Sequence, residues 1–512
     1  MRLLILFFSV FLVGSLGFSG PTKIPRDLLY KYIQQQANFS ADPCDDFYDH
    51  VCPPSVRSKP KEWRFVDFVE KEFEDVVTSV KDQYYDGDLR DEQNDKFAKT
   101  LWKFLDTEKA RDFCIDHKDQ FSKITRIIIN ETLTDGNTPD WETIPCYIQF
   151  QLIKKADQKY YKDIRFILVN AIRSTIARLA MGNTGETARN FFENLRNETR
   201  EAFKKTPWAN NKKVVEKFIA VLDAIKFHRA QEYEGNILRG VKELRKSQRE
   251  CRKTLAVRAS YHVSEVLCDT ISISDGWKAA DFPKQWYDFN YTMGHQMALA
   301  VLSDRIPGGN GFDRFVTIGN IMDLLMVTNH SSLLYGGAGL TLGHEFMHTF
   351  VFDEKDGDFS NLKSYWTNSS DCIKEQAAKT CKTFPFINCV DTSLTFEEDA
   401  SDMAALHIIW NSYLKSLSPE EMKNDEEKKL FFYGFPTFFC RHWPEGYSNT
   451  HSSEKHRTNS MASQSEAFQE LFKCKSTDRM VMNKAKKCVL YGEEAPENKR
   501  LWIDEDHVAA FG

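Results

Sequence analysis

The residues best suited to chemistry lie in the run Gly343–Thr349, where His344, Glu345 and His348 form an HExxH motif. Positions four apart lie on one face of an α-helix, so both imidazoles can bind the same metal ion. The adjacent glutamate can then reach a water molecule on that metal. The spacing therefore predicts a zinc hydrolase site with His344 and His348 as metal ligands and Glu345 as the general base.

A catalytic zinc ion usually has three protein ligands and an open position for water, so a third ligand is needed. A thermolysin-like glutamate is missing from residues 366–368, and Val351 replaces the glycine of the extended metzincin motif. Farther along, Glu398 and Asp402 are four residues apart and lie on one predicted helical face. Glu398 can complete the zinc shell, and Asp402 can accept the second ring N–H of a zinc-bound histidine. The alternative interpretation of this acidic run is a solvated helix start, which the helix dipole would also favour.

The elements that must position these residues follow from apolar periodicity and glycine content. The HExxH helix comes after the flexible run Gly336–Gly339, and a second helix is predicted over about 396–414. Residues 88–270 contain few glycines or prolines, and helical spacing of their apolar residues predicts a mostly helical segment. The apolar run Phe315–Met326 is interpreted as a strand.

Composition narrows the class of protein. The chain has 512 residues, of which 42% are hydrophobic, so it can bury a large core, and its length suggests two to four domain-sized units. Its formal net charge of −6 argues against nucleic acid as a partner, because phosphate binding needs a concentrated basic face.

The N-terminus predicts entry into the secretory pathway. One arginine, an apolar run from Leu3 to Val13 and small residues at 14, 15, 17 and 19 are typical of a signal peptide, here residues 1–19. An uncleaved anchor, giving a type II membrane protein with an extracellular catalytic domain, is the alternative. Twelve cysteines predict disulfides, and six Asn-x-Ser/Thr sequons predict a secreted glycoprotein.

These motifs resemble the neprilysin and endothelin-converting-enzyme family of zinc metalloendopeptidases. The family's second zinc-binding histidine matches His348, and its Glu-x-x-x-Asp motif matches Glu398 to Asp402. His348 and Glu398 are fifty residues apart. The runs Asp42–Tyr48, Tyr335–Gly339 and Lys486–Cys488 are also similar. The resemblance implies a gluzincin-type, mainly α, two-lobed zincin fold, in which a catalytic lobe with a small β-sheet and a helical insertion lobe enclose a central cavity.

The resemblance also implies a division of the chain and one zinc ion per chain. After the signal peptide, residues 20–75 form a segment that packs on the catalytic lobe. Residues 76–270 form the helical insertion or cap, 271–490 the zinc catalytic domain, and 491–512 a solvated C-terminal extension. The sequence does not indicate an oligomeric state.

Further site residues follow from the resemblance alone. His451 matches the histidine that stabilises the oxyanion, and Arg457 matches the arginine that binds a substrate carbonyl; Asp402 joins them as a catalytic residue. Arg64 matches an arginine that holds a peptide's terminal carboxylate. The pocket for the side chain after the scissile bond is assigned to Phe68, Leu340, Thr341, Phe438 and Phe439. The implied disulfides are Cys44–Cys474, Cys52–Cys440, Cys114–Cys268 and Cys381–Cys488, with Cys146, Cys251, Cys372 and Cys389 unassigned.

The chain departs from the family pattern at three positions. Leu302 stands where the family has an asparagine that binds the substrate backbone, although pairing through this chain's own backbone survives the change. Thr349 replaces a glycine after the second histidine, and Asn449 replaces an acid two residues before His451.

The leading hypothesis is a secreted zinc endopeptidase that hydrolyses peptides on the amino side of hydrophobic residues. Glu345 takes a proton from water and returns it to the leaving amine. The rival hypothesis is a secreted, catalytically weak or inactive peptide-binding homologue that keeps the fold and the zinc. Peptides are the expected partners in both cases, with a membrane involved only if the N-terminal segment is an anchor.

Overall fold

The computed structural model describes most of the catalytic region and parts of the remaining chain. The described residues are 27–58, 65–84, 172, 175–176, 186–206, 209, 211–229, 232, 234–255, 272, 275–276, 278–281, 301–308, 311–351, 367–384, 394–438, 440 and 451–492. Residues 1–26, which include the predicted signal peptide or anchor, lie outside this set. Within it, every helix is too short or too polar to cross a membrane.

Helices dominate the described residues, as the mainly α prediction required. Before the sheet they are α1 (Leu28–Gln36), α2 (Phe47–Val51), α3 (Pro54–Arg57), α4 (Phe65–Tyr84), α5 (Thr187–Lys205), α6 (Lys212–Ala224) and α7 (Glu234–Leu255). After it they are α8 (Asn320–Leu325), α9 (Ser331–Leu333), α10 (Leu340–Met347), α11 (Thr367–Thr383), α12 (Phe396–Ser416), α13 (Asp425–Phe438), α14 (Glu454–Gln464), α15 (Glu466–Phe472) and α16 (Arg479–Met482). A π-helical segment, Leu334–Gly339, joins α9 to α10, and a short 3₁₀ turn spans Glu421–Lys423.

The described strands form a small three-stranded sheet. The strands are β1 (Lys226–Arg229), β2 (Val301–Gly308) and β3 (Gly311–Ile318), in the order β1-β3-β2. β1 runs parallel to β3, whereas β2 and β3 pair antiparallel from Val301 opposite Ile318 to Gly308 opposite Gly311. Among the described strands β2 therefore lies at an edge of the sheet, and it packs beside α10.

The predicted strand Phe315–Met326 is correct only as far as Ile318, because the chain then turns into α8 at Asn320. Asp323 in α8 is 2% exposed and pairs at 2.7 Å with the buried guanidinium of Arg229 on β1. A buried carboxylate needs such a partner, and the helical turn brings Asp323 to the cation. Apolar character alone did not distinguish this buried helix from a continued strand.

A close backbone approach fixes the start of the catalytic helix. Gly336 in the π-helical segment lies directly against Gly434 and the Phe431 carbonyl of α13. A Cβ on Gly434 would lie 2.5 Å from the carbonyl carbon of Gly336, so neither glycine has room for a side chain. The glycine-rich run predicted to be flexible is thus a buried, tightly packed helical segment.

The HExxH helix α10 packs against α12, and its Phe346 ring contacts Phe192 of α5. Phe192 and Phe203 of α5 meet Phe346 and Phe350 of the HExxH segment, with ring centroids 5.5 and 5.0 Å apart. α5 thus lies against α10, and β1 is part of the sheet. Both elements belong to the segment that is expected, by resemblance, to form the cap. The division of the chain into a cap and a catalytic domain stays a prediction.

The N-terminal segment is fastened to the end of the catalytic region. Disulfides join Cys44 to Cys474 and Cys52 to Cys440, as the resemblance implied. The buried Asn459 side chain of α14 accepts from the Tyr48 N–H at 2.9 Å and donates to Asp46 at 3.0 Å.

The implied Cys381–Cys488 disulfide is wrong, because Cys488 is bonded to Cys372. Cys372 and Cys381 both lie on α11, where nine residues correspond to about 13 Å along the axis, so Cys488 cannot reach both. Cys372 is the one that faces the C-terminal segment, and Cys381 takes part in another disulfide. The implied Cys114–Cys268 pair lies outside the described residues.

Replacing Gly434 by alanine should test the close approach between α13 and the π-helical segment. The new methyl group would overlap backbone atoms, which cannot move aside as a flexible side chain does, so Gly434→Ala should lower the free energy of unfolding by about 1–3 kcal/mol in urea titrations. Gly235→Ala on α7 is the matched control, since its Cβ would meet no atom within 4 Å. Equal stability of the two variants would contradict the packing described here.

Candidate active site

Two helices bring three candidate metal ligands together. α10 carries His344, and His348 caps its C-terminal end, while Glu398 lies in the first turn of α12. The two imidazole Nε2 atoms are 3.0 Å apart. One Glu398 oxygen lies 3.1 Å from His344 Nε2, and the other lies 3.5 Å from His348 Nε2.

These separations fit a zinc ion. Zinc–nitrogen and zinc–oxygen bonds of about 2.0–2.2 Å in tetrahedral geometry place neighbouring ligand atoms roughly 3.3 Å apart. The three observed separations lie on both sides of that value. Glu345 belongs to the same cluster, with a carboxylate oxygen within 4.8 Å of a ring nitrogen of each histidine. Two imidazoles and one carboxylate form the donor set of a catalytic zinc site.

Hydrogen bonds behind the imidazoles set their orientation. Asp402 Oδ1 lies 2.8 Å from His344 Nδ1, and the Ser401 hydroxyl lies 3.3 Å from His348 Nδ1. With Nδ1 of each ring engaged, the Nε2 lone pairs are directed at the shared metal position. Both residues lie on α12 next to Glu398, so one helix supplies a ligand and orients the other two.

Arg457 on α14 holds Asp402 in turn. Its Nε and Nη2 atoms donate to the two Asp402 oxygens at 2.7 and 2.8 Å. Burial alone would raise the pKa of Asp402, but the Arg457 charge and His344 hold it well below its usual range. By resemblance Arg457 is expected to bind a substrate carbonyl; its guanidinium lies on Asp402, and its Nη2 is 3.4 Å from His344 Nδ1.

The imidazoles lie in a strongly negative site. Burial lowers the pKa of His344, but Asp402 and Glu398 outweigh burial and raise it to about 9. Burial and the neighbouring His344 charge lower the pKa of His348 to about 4. Burial would raise the pKa of Glu398, yet its contact with His344 holds it at about 2. The carboxylates thus favour positive charge between the rings, which a metal cation provides.

His451 approaches the ligand set from a third direction. It precedes α14, and its Nε2 lies 3.2 Å from a Glu398 oxygen. Its side chain is 49% exposed, whereas that of His344 is 7% exposed. Partial burial lowers the pKa of His451 below its ordinary value. The candidate oxyanion residue is therefore next to the candidate metal ligands and accessible to a substrate.

Four of the five candidate pocket residues are described, on α4, α10 and α13. Phe68 and Phe438 belong to one aromatic cluster with Tyr32 and Phe65. The Thr341 hydroxyl donates to the Gly337 carbonyl, and Phe438 packs beside Gly337. Leu340 is 2% exposed and is a core side chain. Arg64 and Phe439 lie outside the described residues, and the pocket stays a prediction.

Three polar residues near the site were not singled out from the sequence. Ser401, Ser452 and Asp399 are all buried, and Asp399 accepts hydrogen bonds from Ser452 and Thr395. Of the four acids between 397 and 402, Glu397 alone is exposed, so the solvated helix start describes only that residue. Asp399 lies three residues before Asp402, so helical geometry places the two carboxylates on the same face. This spacing is the signal that could have singled out Asp399.

The HExxH helix and the Glu398 carboxylate together form a candidate metal site of the zincin type. The sequence profile of peptidase family M13 matches residues 323–488, the region that carries all of these ligands. The matched residues are about a third of the chain, and over them the chain is similar to peptidase family M13, as the resemblance predicted.

Similar proteins include neprilysins and endothelin-converting enzymes. Neprilysin-1 of Caenorhabditis elegans is 28% identical over 183 residues, which are 31% of this chain and 24% of that protein. Human neprilysin is 27% identical over 31% of this chain and 24% of its own length. Endothelin-converting enzyme 1 of Rattus norvegicus is 28% identical over 28% of this chain and 21% of its own length. The match thus spans about a quarter of these relatives.

A solved structure, that of PEPO from Lactobacillus rhamnosis HN001, aligns with 70% of this chain and 53% of its own, at a TM-score of 0.39 and 12% identity. That similarity is too weak to add to the match with the family profile.

Removing the charge of Asp402 should weaken zinc binding without removing a ligand. Asp402→Asn keeps a hydrogen-bond acceptor but loses the charge that favours the His344 orientation, so zinc affinity should fall by about 10- to 100-fold. Ser401→Ala should cause a smaller loss, because its hydroxyl is neutral. Competition with a chelator measures both. Exposed Asp371→Asn on α11 is the control, and equal affinity in all variants would contradict an orienting role for Asp402.

Proposed function

We propose that this chain is a secreted zinc-dependent endopeptidase with Glu345 as its general base. The observation that carries the proposal is the convergence of His344, His348 and Glu398 at separations suited to one tetrahedral zinc ion, with the Glu345 carboxylate beside them. The match of residues 323–488 to the profile of peptidase family M13 supports the same reaction class. One zinc ion per chain fits this donor set.

Bound zinc would lower the pKa of a water ligand and polarise the scissile carbonyl. The residues of the chain then divide the remaining tasks. Glu345 accepts the proton of the attacking water and delivers it to the leaving amine, a role that suits a carboxylate within a few ångströms of the ligand set. Asp402 keeps His344 in the tautomer that presents Nε2 to the metal.

Of the two residues expected at the oxyanion, His451 is the one whose ring is accessible to it. His451 is half-exposed beside Glu398, so its ring can donate to negative charge that develops on a carbonyl oxygen nearby. A preorganised donor of this kind typically contributes about 3–4 kcal/mol of transition-state stabilisation. Arg457 acts mainly through Asp402, because its guanidinium is bonded to both oxygens of that carboxylate.

The edge strand β2 is suited to bind an extended peptide. It lies at the edge of the described sheet and packs against α10, so a substrate paired with β2 would run past the zinc ligands. Backbone pairing does not need an asparagine at Leu302. We assign cleavage to the amino side of large hydrophobic residues, with Phe68, Leu340, Thr341, Phe438 and Phe439 as pocket residues and Arg64 as a carboxylate-binding residue.

Export from the cell is supported by the covalent chemistry. The described residues contain three paired disulfides, which persist in oxidising compartments. Two of them join residues more than 380 positions apart, so they constrain the whole chain. We therefore propose an extracellular catalytic region, with residues 1–19 as the signal peptide and membrane attachment as the alternative.

Replacing Glu345 by glutamine should separate catalysis from metal binding. Glu345→Gln keeps the shape of the side chain but cannot accept a proton, so kcat should fall by about 10²- to 10⁴-fold while zinc stays bound. A fluorogenic peptide assay gives the rate, and elemental analysis of the purified protein gives the zinc content. Exposed Glu375→Gln on α11 is the matched control and should keep full activity. Retained turnover in Glu345→Gln would remove Glu345 from the mechanism.

The same assay distinguishes the enzyme from the rival peptide-binding protein. Turnover that a chelator abolishes and added zinc restores supports the endopeptidase. A zinc-loaded parent protein that binds peptides without cleaving any member of a mixed peptide library would support the binder, for which the replacement at Leu302 offers a reason.

A further inference from the structure

Asp399 is a buried carboxylate next to a metal ligand, with no task in the proposed chemistry. It is 4% exposed, and its Oδ1 has no hydrogen-bond partner among the described residues. Burying a carboxylate is costly unless its hydrogen bonds compensate. Its Oδ2 accepts hydrogen bonds from two hydroxyl groups that belong to different parts of the chain.

The first hydroxyl ties Asp399 to the start of its own helix. Thr395, immediately before α12, donates to Oδ2 at 2.9 Å, and the Asp399 N–H donates to the Thr395 carbonyl at 3.0 Å. These reciprocal bonds fix the first turn of α12, which also carries Glu398. The carboxylate of Asp399 is thereby held in one orientation.

The second hydroxyl belongs to the residue after His451. Ser452 donates to Asp399 Oδ2 at 2.9 Å in a buried contact, while His451 Nε2 lies 3.2 Å from Glu398. His451 thus contacts Glu398, and the next residue, Ser452, contacts Asp399. Ser453 then caps α14 by accepting from the His456 N–H at 3.3 Å.

We infer that Asp399 is a positioning residue that, through Ser452, holds His451 over the ligand carboxylate. The inference rests on the proposed peptidase function for its effect on catalysis. An oxyanion donor must be aimed within a narrow range, and a misplacement of about 1 Å can cost roughly 10²-fold in rate.

The coupling is tested by removing and restoring the Ser452 hydroxyl. Ser452→Ala should lower kcat by about 10- to 100-fold, with little change in KM and full zinc content, because only the aim of His451 is lost. Ser452→Thr keeps the hydroxyl and should retain most of the activity. Asp399→Asn, which keeps an acceptor oxygen, should be less impaired than Asp399→Ala.

A double-mutant cycle separates positioning from a general structural effect. In a His451→Ala background the imidazole is gone, so Ser452→Ala should change kcat by less than about twofold. An equal loss in both backgrounds would overturn the inference, because Ser452 would then act independently of His451.

A second readout does not depend on turnover. Diethyl pyrocarbonate should modify His451 faster in zinc-loaded Ser452→Ala and Asp399→Ala than in the parent or Ser452→Thr, as followed by peptide mass spectrometry. Unchanged modification rates would overturn the positioning role even in an active enzyme. A parent protein without peptidase activity would instead overturn the proposed function, and the modification rates would still decide how His451 is held.

Discussion

The arrangement of the site depends on one buried carboxylate, that of Asp402. It accepts from His344 on α10 and from Arg457 on α14, and it lies on α12 one helical turn after Glu398. Three helices from distant parts of the chain therefore meet at two oxygen atoms. A lone buried carboxylate would cost several kcal/mol, so Arg457 is the partner that allows Asp402 to stay charged beside His344, a candidate metal ligand.

The helices can meet at this carboxylate because glycines allow neighbouring helix backbones to pack closely. Gly336 and Gly434 let the segment before α10 lie against α13, and Gly343 lets α10 approach Ile409 of α12. The disulfides of Cys44 and Cys52 then fasten the N-terminal segment beside α14, the helix of Arg457. Packing at the periphery thus limits how far the catalytic groups can move apart.

Local spacing predicted the parts of the site that depend on a single helix. His344 and His348, like Glu398 and Asp402, are four residues apart, and helical geometry alone puts each pair on one face. Sequence could not predict contacts between elements that have no such rule. The choice of Cys372 over Cys381 depends on which side of α11 faces the C-terminal segment, and the end of β3 depends on the Arg229–Asp323 pair. The roles of Asp399 and Ser452 likewise appear only when α12 and the start of α14 are brought together.

The charges of the site explain why a divalent cation suits it better than protons do. The two imidazole nitrogens lie 3.0 Å apart, so a proton on His344 opposes a second proton on His348, whose pKa is lowered to about 4. One proton also cannot lie between three donor atoms at once. A zinc ion would bring two positive charges to this site, where both rings and the Glu398 carboxylate could hold it. Because Asp402 and Ser401 engage the opposite ring nitrogens, the rings need little reorientation to bind it, and the negative potential that raises the pKa of His344 also attracts the metal.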